Sequence, residues 1–213
     1  MRRLRTGALL ALTIGALASH EALAERKVNL YRGQQVFDGL CNRCHGMEGE
    51  GNDAKNIKAP AIAGMPAWYV EDQLEKFRTG KRGKHPLDNP GMRMYPIART
   101  LFKDEQRDDL ADVSAYVEKL PKKTAPATLD GADIEKGKAK YGMCIACHGA
   151  NGEGNPGMKA PALAGQSDWY LFTQLKNIKA GIRKVPMMAG VTPGLDEEAM
   201  RNLAAYLHSL PSK

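Results

Sequence analysis

Cys41-Asn42-Arg43-Cys44-His45-Gly46 occurs a second time in the chain, as Cys144-Ile145-Ala146-Cys147-His148-Gly149, and the match extends outward from both copies. Gly49 and Gly51 answer Gly152 and Gly154, and Ala59-Pro60-Ala61-Ile62-Ala63-Gly64 answers Ala160-Pro161-Ala162-Leu163-Ala164-Gly165. Trp68-Tyr69 pairs with Trp169-Tyr170, Gln73-Leu74 with Gln174-Leu175, Ala115-Tyr116 with Ala205-Tyr206, and Leu120-Pro121 with Leu210-Pro211. The offset shrinks from 103 residues between Cys41 and Cys144 to 90 between Tyr116 and Tyr206, so the chain is a tandem duplication whose second copy has shorter loops. Lys122 to Thr128 is polar, bears a proline and has no apolar period, which reads as a linker. The expected domains are residues 25–123 and 124–213, after a leader at 1–24.

Each copy reads as helical. One segment precedes the first cysteine, over Leu30 to Leu40 or Ile134 to Met143; a second begins near Trp68 or Trp169; a third follows Asp104 or Asp196. In the third, Leu110, Val113, Val117 and Leu120 recur at helical spacing, as do Leu203, Tyr206, Leu207 and Leu210. Asp104 and Asp196 stand where an N-cap belongs, and Pro121 and Pro211 where a helix stops. No alternating strand pattern appears. The expected fold class is all-α: two small tandem domains, each with a core so thin that something besides side chains fills it.

The leader is Met1-Arg2-Arg3-Leu4-Arg5, an apolar run from Gly7 to Ala18, then Ala22-Leu23-Ala24. That order is a secretory signal, with cleavage expected after Ala24. The run ends at Ser19-His20-Glu21, short of the roughly 20 apolar residues that a spanning helix needs. The remainder carries 28 basic and 23 acidic residues, mixed along the chain rather than gathered into stripes, which argues against nucleic acid as a partner. Four cysteines in an exported chain would by default form two disulfides.

The spacing points elsewhere. Cys-x-x-Cys-His is the attachment signature of c-type haem: two thiols form thioethers with the porphyrin vinyl groups and the adjacent histidine reaches the iron. Two intervening residues on a helical turn bring both sulfurs to one face. A Cys41–Cys44 disulfide leaves His45 unexplained, a four-thiolate zinc site would have to span both copies, and a thioredoxin-like pair wants a βαβ context. The expected cofactors are therefore two covalent haem c groups, on Cys41, Cys44, Cys144 and Cys147, with His45 and His148 on the irons.

A haem that only moves electrons needs a second axial ligand, commonly methionine. Met92 and Met94 compete in the first copy, Met187 and Met188 in the second. Met94 lies seven residues before Leu101 and Met188 seven before Leu195, so repeat matching selects Met94 and Met188. Met47, Met65, Met143, Met158 and Met200 read as core gap-fillers. The carbonyls of Pro60 and Pro161, at matching places after the motif, are candidate acceptors for the histidine nitrogen that is not on iron. His85 has no counterpart in the second copy and reads as an exposed loop residue; His208 falls on the solvent side of the last helix by its apolar spacing.

With these residues in place, the chain resembles the dihaem cytochrome c4 family, two class I cytochrome c domains in tandem. The resemblance covers both pentads, Pro60 to Gly64 and Pro161 to Gly165, the Tyr-x-x-x-Gln-Leu stretches at Tyr69 to Leu74 and Tyr170 to Leu175, and the methionine-to-leucine spacing. It implies low-spin His/Met haems and a periplasmic carrier passing single electrons from a quinol-oxidising complex or dehydrogenase to a terminal oxidase. The carrier is expected either free or docked peripherally to the membrane. The Gly80 to Met94 loop departs from the pattern, being basic and longer than Gly181 to Met188. Two rival readings stand beside the carrier: a dihaem enzyme of peroxidase or thiosulfate-oxidising type, which needs an open iron position, and an electron-transfer subunit of a larger dehydrogenase. A methionine at the same place in both copies favours the carrier.

Overall fold

The computed structural model describes residues 26–54 and 57–211, so the leader expected at 1–24 lies outside the described residues. In the first half, α1 (Leu30–Val36) starts at Asn29, whose side chain accepts from Arg32 N, and runs through one wider π-helical turn, Phe37–Cys41, into α2 (Asn42–His45). There follow α3 (Ala67–Arg78), α4 (Asn89–Arg99) and α5 (Asp109–Lys119). The second half repeats the plan with α6 (Ile134–Tyr141), α7 (Ile145–His148), α8 (Asp168–Lys179) and α9 (Glu197–Ser209). Three isolated bridges are the only β-type pairing among the described residues. The fold is all-α, in two similar units.

The first and last helices of each half cross at a glycine. A Cβ on Gly33 would sit 2.2 Å from the carbonyl oxygen of Asp112, and one on Gly137 would sit 2.1 Å from that of Asn202. Only a residue without a side chain allows backbones that close. One turn further on, Phe37 meets Tyr116 and Tyr141 meets Tyr206, each pair with ring centroids 5.5 Å apart. Around these crossings lie the two apolar clusters, Val36, Phe37, Leu101, Leu110, Val113 and Val117 in one half and Tyr141, Leu171, Leu195, Met200, Leu203 and Leu207 in the other.

Several expectations need correction. The last helix of the first half is capped by Asp108, which accepts from Ala111 N; Asp104 instead accepts from Gln106 N and Arg107 N and closes a tight turn before it. Asp196 caps α9 as read, accepting from Ala199 N. The first half has an additional helix, α4, because Asp88 caps it from the longer loop and Pro90 fits its first turn, where the second half has the short 3₁₀ turns Pro186–Met188 and Thr192–Gly194. Met200 is a core residue, but Met47, Met143 and Met158 are exposed. His208 is buried, its Nδ1 donating to the Gln166 carbonyl at 3.1 Å. The helical period of α9 marks the face turned to its own core; the loop at Gly165–Ser167 covers the other side as well.

That loop joins the halves. Gln166 Nε2 donates to Ala61 O at 2.9 Å, and Ala61 N donates to Ser167 Oγ at 3.4 Å. The linker is tied down by Asp168, whose buried carboxylate accepts from Thr128 N, Thr128 Oγ1 and Leu129 N at 2.6, 2.8 and 2.9 Å.

Candidate cofactor sites

The thiols and imidazole of each pentad are placed by the turn that ends the first helix. Cys41 closes the π-helical turn, while Cys44 and His45 belong to α2; in the second half Cys144 precedes α7, which carries Cys147 and His148. The four sulfurs are unbridged. Burial pushes the Cys41 thiol up to about 12, with Cys44 and Asp38 adding to the shift, and burial likewise raises Cys144. Both are held protonated by burial, unlike the electropositive setting of a reactive redox cysteine.

Both histidines are buried, and each Nδ1 donates to a proline carbonyl at 2.9 Å: His45 to Pro60 and His148 to Pro161. Burial lowers both imidazole pKa values, and the carbonyl bond opposes it without reversing it. The neutral ring with its proton on Nδ1 leaves Nε2 free for a metal. The carbonyls are fixed in turn. Asn52 and Ala59 exchange two backbone bonds of 2.8 and 2.7 Å, Ile62 N donates to Gly49 O, and the chain passes Gly51 so closely that a Cβ there would lie 2.7 Å from Ala61 N.

Cys41, Cys44 and His45 open onto a cavity in the first half. Ile62, Leu74, Phe77 and Val113 are among its apolar walls, and Met94 of α4 lines it as well. Met92 does not line it and is 37% exposed; His85 is exposed, with Nδ1 accepting from Leu87 N. In the second half Met188 is half-buried, its carbonyl accepting from Val191 N and Thr192 Oγ1, whereas Met187 is 68% exposed.

The cavity does not stop at the domain boundary, because Gln166, Tyr170 and Gln174 of the second half contribute to its wall. Here lies a cluster that the motif reading missed. Arg82 donates to Gln73 Oε1 at 2.5 Å and Gln174 Oε1 at 3.3 Å; Arg183 donates to the same two oxygens at 3.2 and 2.8 Å and to Tyr69 Oη at 3.2 Å. The members repeat at a constant offset of 101: Tyr69 with Tyr170, Gln73 with Gln174, Arg82 with Arg183. For Tyr170, burial is the largest influence and would raise its pKa, but Arg82 and Arg183 outweigh it and lower the value. Arg183 shows the converse: burial opposes its charge, yet Tyr69, Tyr170 and Asp88 hold it above the usual range. The sequence signal was the third repeat match, the arginines, inside a loop read only as basic.

Two thiols, a neutral imidazole and a thioether around an apolar cavity suit a flat, covalently held metal macrocycle. One further observation suits a macrocycle bearing carboxylates. Arg82 is buried on the cavity wall and its Nε has no hydrogen-bond partner, an expensive state for a cationic group unless an anion completes it.

The comparisons agree with this chemistry. The cytochrome c family model matches residues 30–121 and again 134–211. The thiosulfate dehydrogenase electron acceptor of Stutzerimonas stutzeri is 33% identical over 91% of this chain and 89% of its own length. Cytochrome c4 of Azotobacter vinelandii is 31% identical over 79% of this chain and 77% of its own. The structure of reduced recombinant cytochrome c4 from Pseudomonas stutzeri superposes with a TM-score of 0.68 at 27% identity, covering 87% of this chain and all of that one.

Proposed function

The chain belongs to the dihaem cytochrome c4 family of tandem cytochrome c domains, an electron carrier with two covalently bound haem c groups, and from that premise we propose how its residues hold them and what it serves. The domains are residues 25–123 and 124–213. His45 with Met94 and His148 with Met188 would hold the two irons, and Cys41, Cys44, Cys144 and Cys147 would be the attachment points. Bound haem supplies a one-electron Fe(III)/Fe(II) couple. Pro60 and Pro161 fix the tautomer and orientation of the two imidazoles. The methionine sulfurs of Met94 and Met188 would favour reduced iron, and the apolar walls would keep water out. Arg82, on the cavity wall with its Nε unpartnered, would receive a haem carboxylate at the seam between the halves.

The carrier works in the periplasm, taking single electrons from a dehydrogenase and passing them to a terminal oxidase. Thiosulfate dehydrogenase is the donor that the Stutzerimonas relative's name suggests. One observation carries the reading: Met94 lines the same predominantly apolar cavity as His45, so the two could hold one iron between them. Stopped-flow mixing of the oxidised holoprotein with a thiosulfate dehydrogenase and thiosulfate should reduce both haems, while thiosulfate alone should reduce neither on that timescale. Fast reduction by thiosulfate alone would overturn it.

A further inference from the structure

The two halves differ most on the outer side of α4. Between Lys76 and Lys103 the only acidic residue is Asp88, and it is buried, accepting from Gly91 N and Asn177 Nδ2. Lys76, Arg78 and Lys103 are matched by Asp72, Glu75 and Glu71. Lys84 and Arg99 are not matched in this way. Both are exposed, lie over the Tyr95 ring with 5.2 and 5.4 Å to its centroid, and form no salt bridge among the described residues. Lys81 is exposed beside them in sequence. Interspersed with these cations are two exposed apolar side chains outside the cavity lining, Leu87 (69%) and Met92 (37%).

The opposite side of the same helix walls the first cavity: Pro90, Met94 and Ile97 line it from within. The second half has no such face. Its corresponding stretch from Gly181 to Asp196 forms short 3₁₀ turns with one exposed base, Lys184, and runs into Asp196, Glu197 and Glu198.

We propose that the outer face of α4 and the loop before it, with Lys81, Lys84 and Arg99 around Leu87 and Met92, is the docking surface for an acidic one-electron redox protein, so that electrons cross that contact through the first half. The inference rests on the carrier reading and adds the side of entry or exit and the charge of the partner. A small apolar centre with cations at its rim is the anatomy of a transient electrostatically steered contact. A lipid surface fits less well, since membrane-lying helices carry a continuous apolar face rather than two separated side chains. In the direction tested, one electron crosses the contact, leaving Fe(III) behind and reducing the acceptor's Cu(II) to Cu(I); no bond or proton is exchanged.

The test is stopped-flow oxidation of the fully reduced native holoprotein by an acidic blue-copper protein, over a range of ionic strength. The native rate should fall steeply with salt, and K84E/R99E should lose about tenfold at low salt and little at high salt, because rim charges act on encounter. K84Q/R99Q should fall between them. K138E/K140E, reversing two exposed lysines beside the second pentad, should change the rate less than about twofold, since charges outside the contact steer weakly. Absorption spectra and melting curves confirm that each variant is folded and loaded. An unchanged rate in K84E/R99E, or an equal loss in K138E/K140E, overturns the proposal. So does cosedimentation with phosphatidylglycerol vesicles that K84E/R99E abolishes, which would make the face a lipid surface. Failure of the carrier reading would show separately, as reduction by thiosulfate alone.

Discussion

Arg183, from the second half, donates to Gln73 of the first at 3.2 Å, and Arg82 returns the contact to Gln174 at 3.3 Å. The seam thus holds two guanidinium charges against neutral amides and phenols, with Asp88 as the buried carboxylate nearby. Cations so placed disfavour the extra positive charge of Fe(III). Arg183→Gln is therefore expected to lower the midpoint potential by on the order of 50 mV, the one-electron equivalent of about 1 kcal/mol of lost charge interaction. Spectroelectrochemical titration of the holoprotein checks it; an unchanged or raised potential would show that the arginine only holds the halves together.

Gly33 and Gly137 make a stability prediction that does not depend on redox chemistry. Gly33→Ala would drive a Cβ into a backbone carbonyl, which a rotamer change cannot relieve, so the two helices must separate. A loss of about 2–3 kcal/mol is expected, at the upper end of overpacking costs. Gly39→Ala, on the same stretch with open space around its Cβ position, should cost far less. Equal denaturant midpoints for the two variants would show that the crossing can adjust.

Repeat matching and the pentads made the helical class, the duplication and the facing of His45 and Met94 onto one cavity legible, because each rests on local spacing. Asp104 was misread as a cap because Asp104 and Asp108 are one helical turn apart and composition does not choose between them; the bridge between Lys103 and Asp108 does. His208 was misread because a helical period shows one buried face, whereas the interdomain loop buries a second. The arginine cluster was missed for a related reason: the repeat offset pairs Arg82 with Arg183, but their bonds cross between halves, and no spacing within one copy reveals a partner in the other.

Asp168 gives a pH dependence. Burial, the largest influence, would raise its pKa, but the donors from Thr128, Leu129 and Trp169 together outweigh it, so the folded value lies below the ordinary one. A carboxyl with a depressed folded pKa contributes stability that is present above its unfolded value and lost as pH falls through the folded one. The contribution should be whole at pH 7 and fade below about pH 4, the ordinary carboxylate value. Asp168→Asn should accordingly be less stable than the native protein at neutral pH, with the gap narrowing toward pH 3. A gap that stays constant with pH would assign the effect to lost hydrogen bonds rather than charge.

Axial ligation offers the sharpest test of the site. Met94 lines the cavity with His45 while Met92 faces solvent, and Met188 is half-buried while Met187 is exposed, so each neighbouring pair supplies its own control. Met94→Ala should leave one iron without its thioether, which makes that haem high-spin, opens it to carbon monoxide and lowers its potential, since the soft sulfur favours Fe(II). Met188→Ala should do the same to the other haem, and the double variant should bind two carbon monoxide molecules per chain. Met92→Ala and Met187→Ala should keep the native spectrum. The weak far-red band of iron–methionine bonding, measured in the oxidised protein, should halve in each single inner variant and vanish in the double. If Met94→Ala left that band intact, the first iron would have to take another ligand, and His85 or Met92 would need to swing inward from the solvent-exposed positions they occupy here.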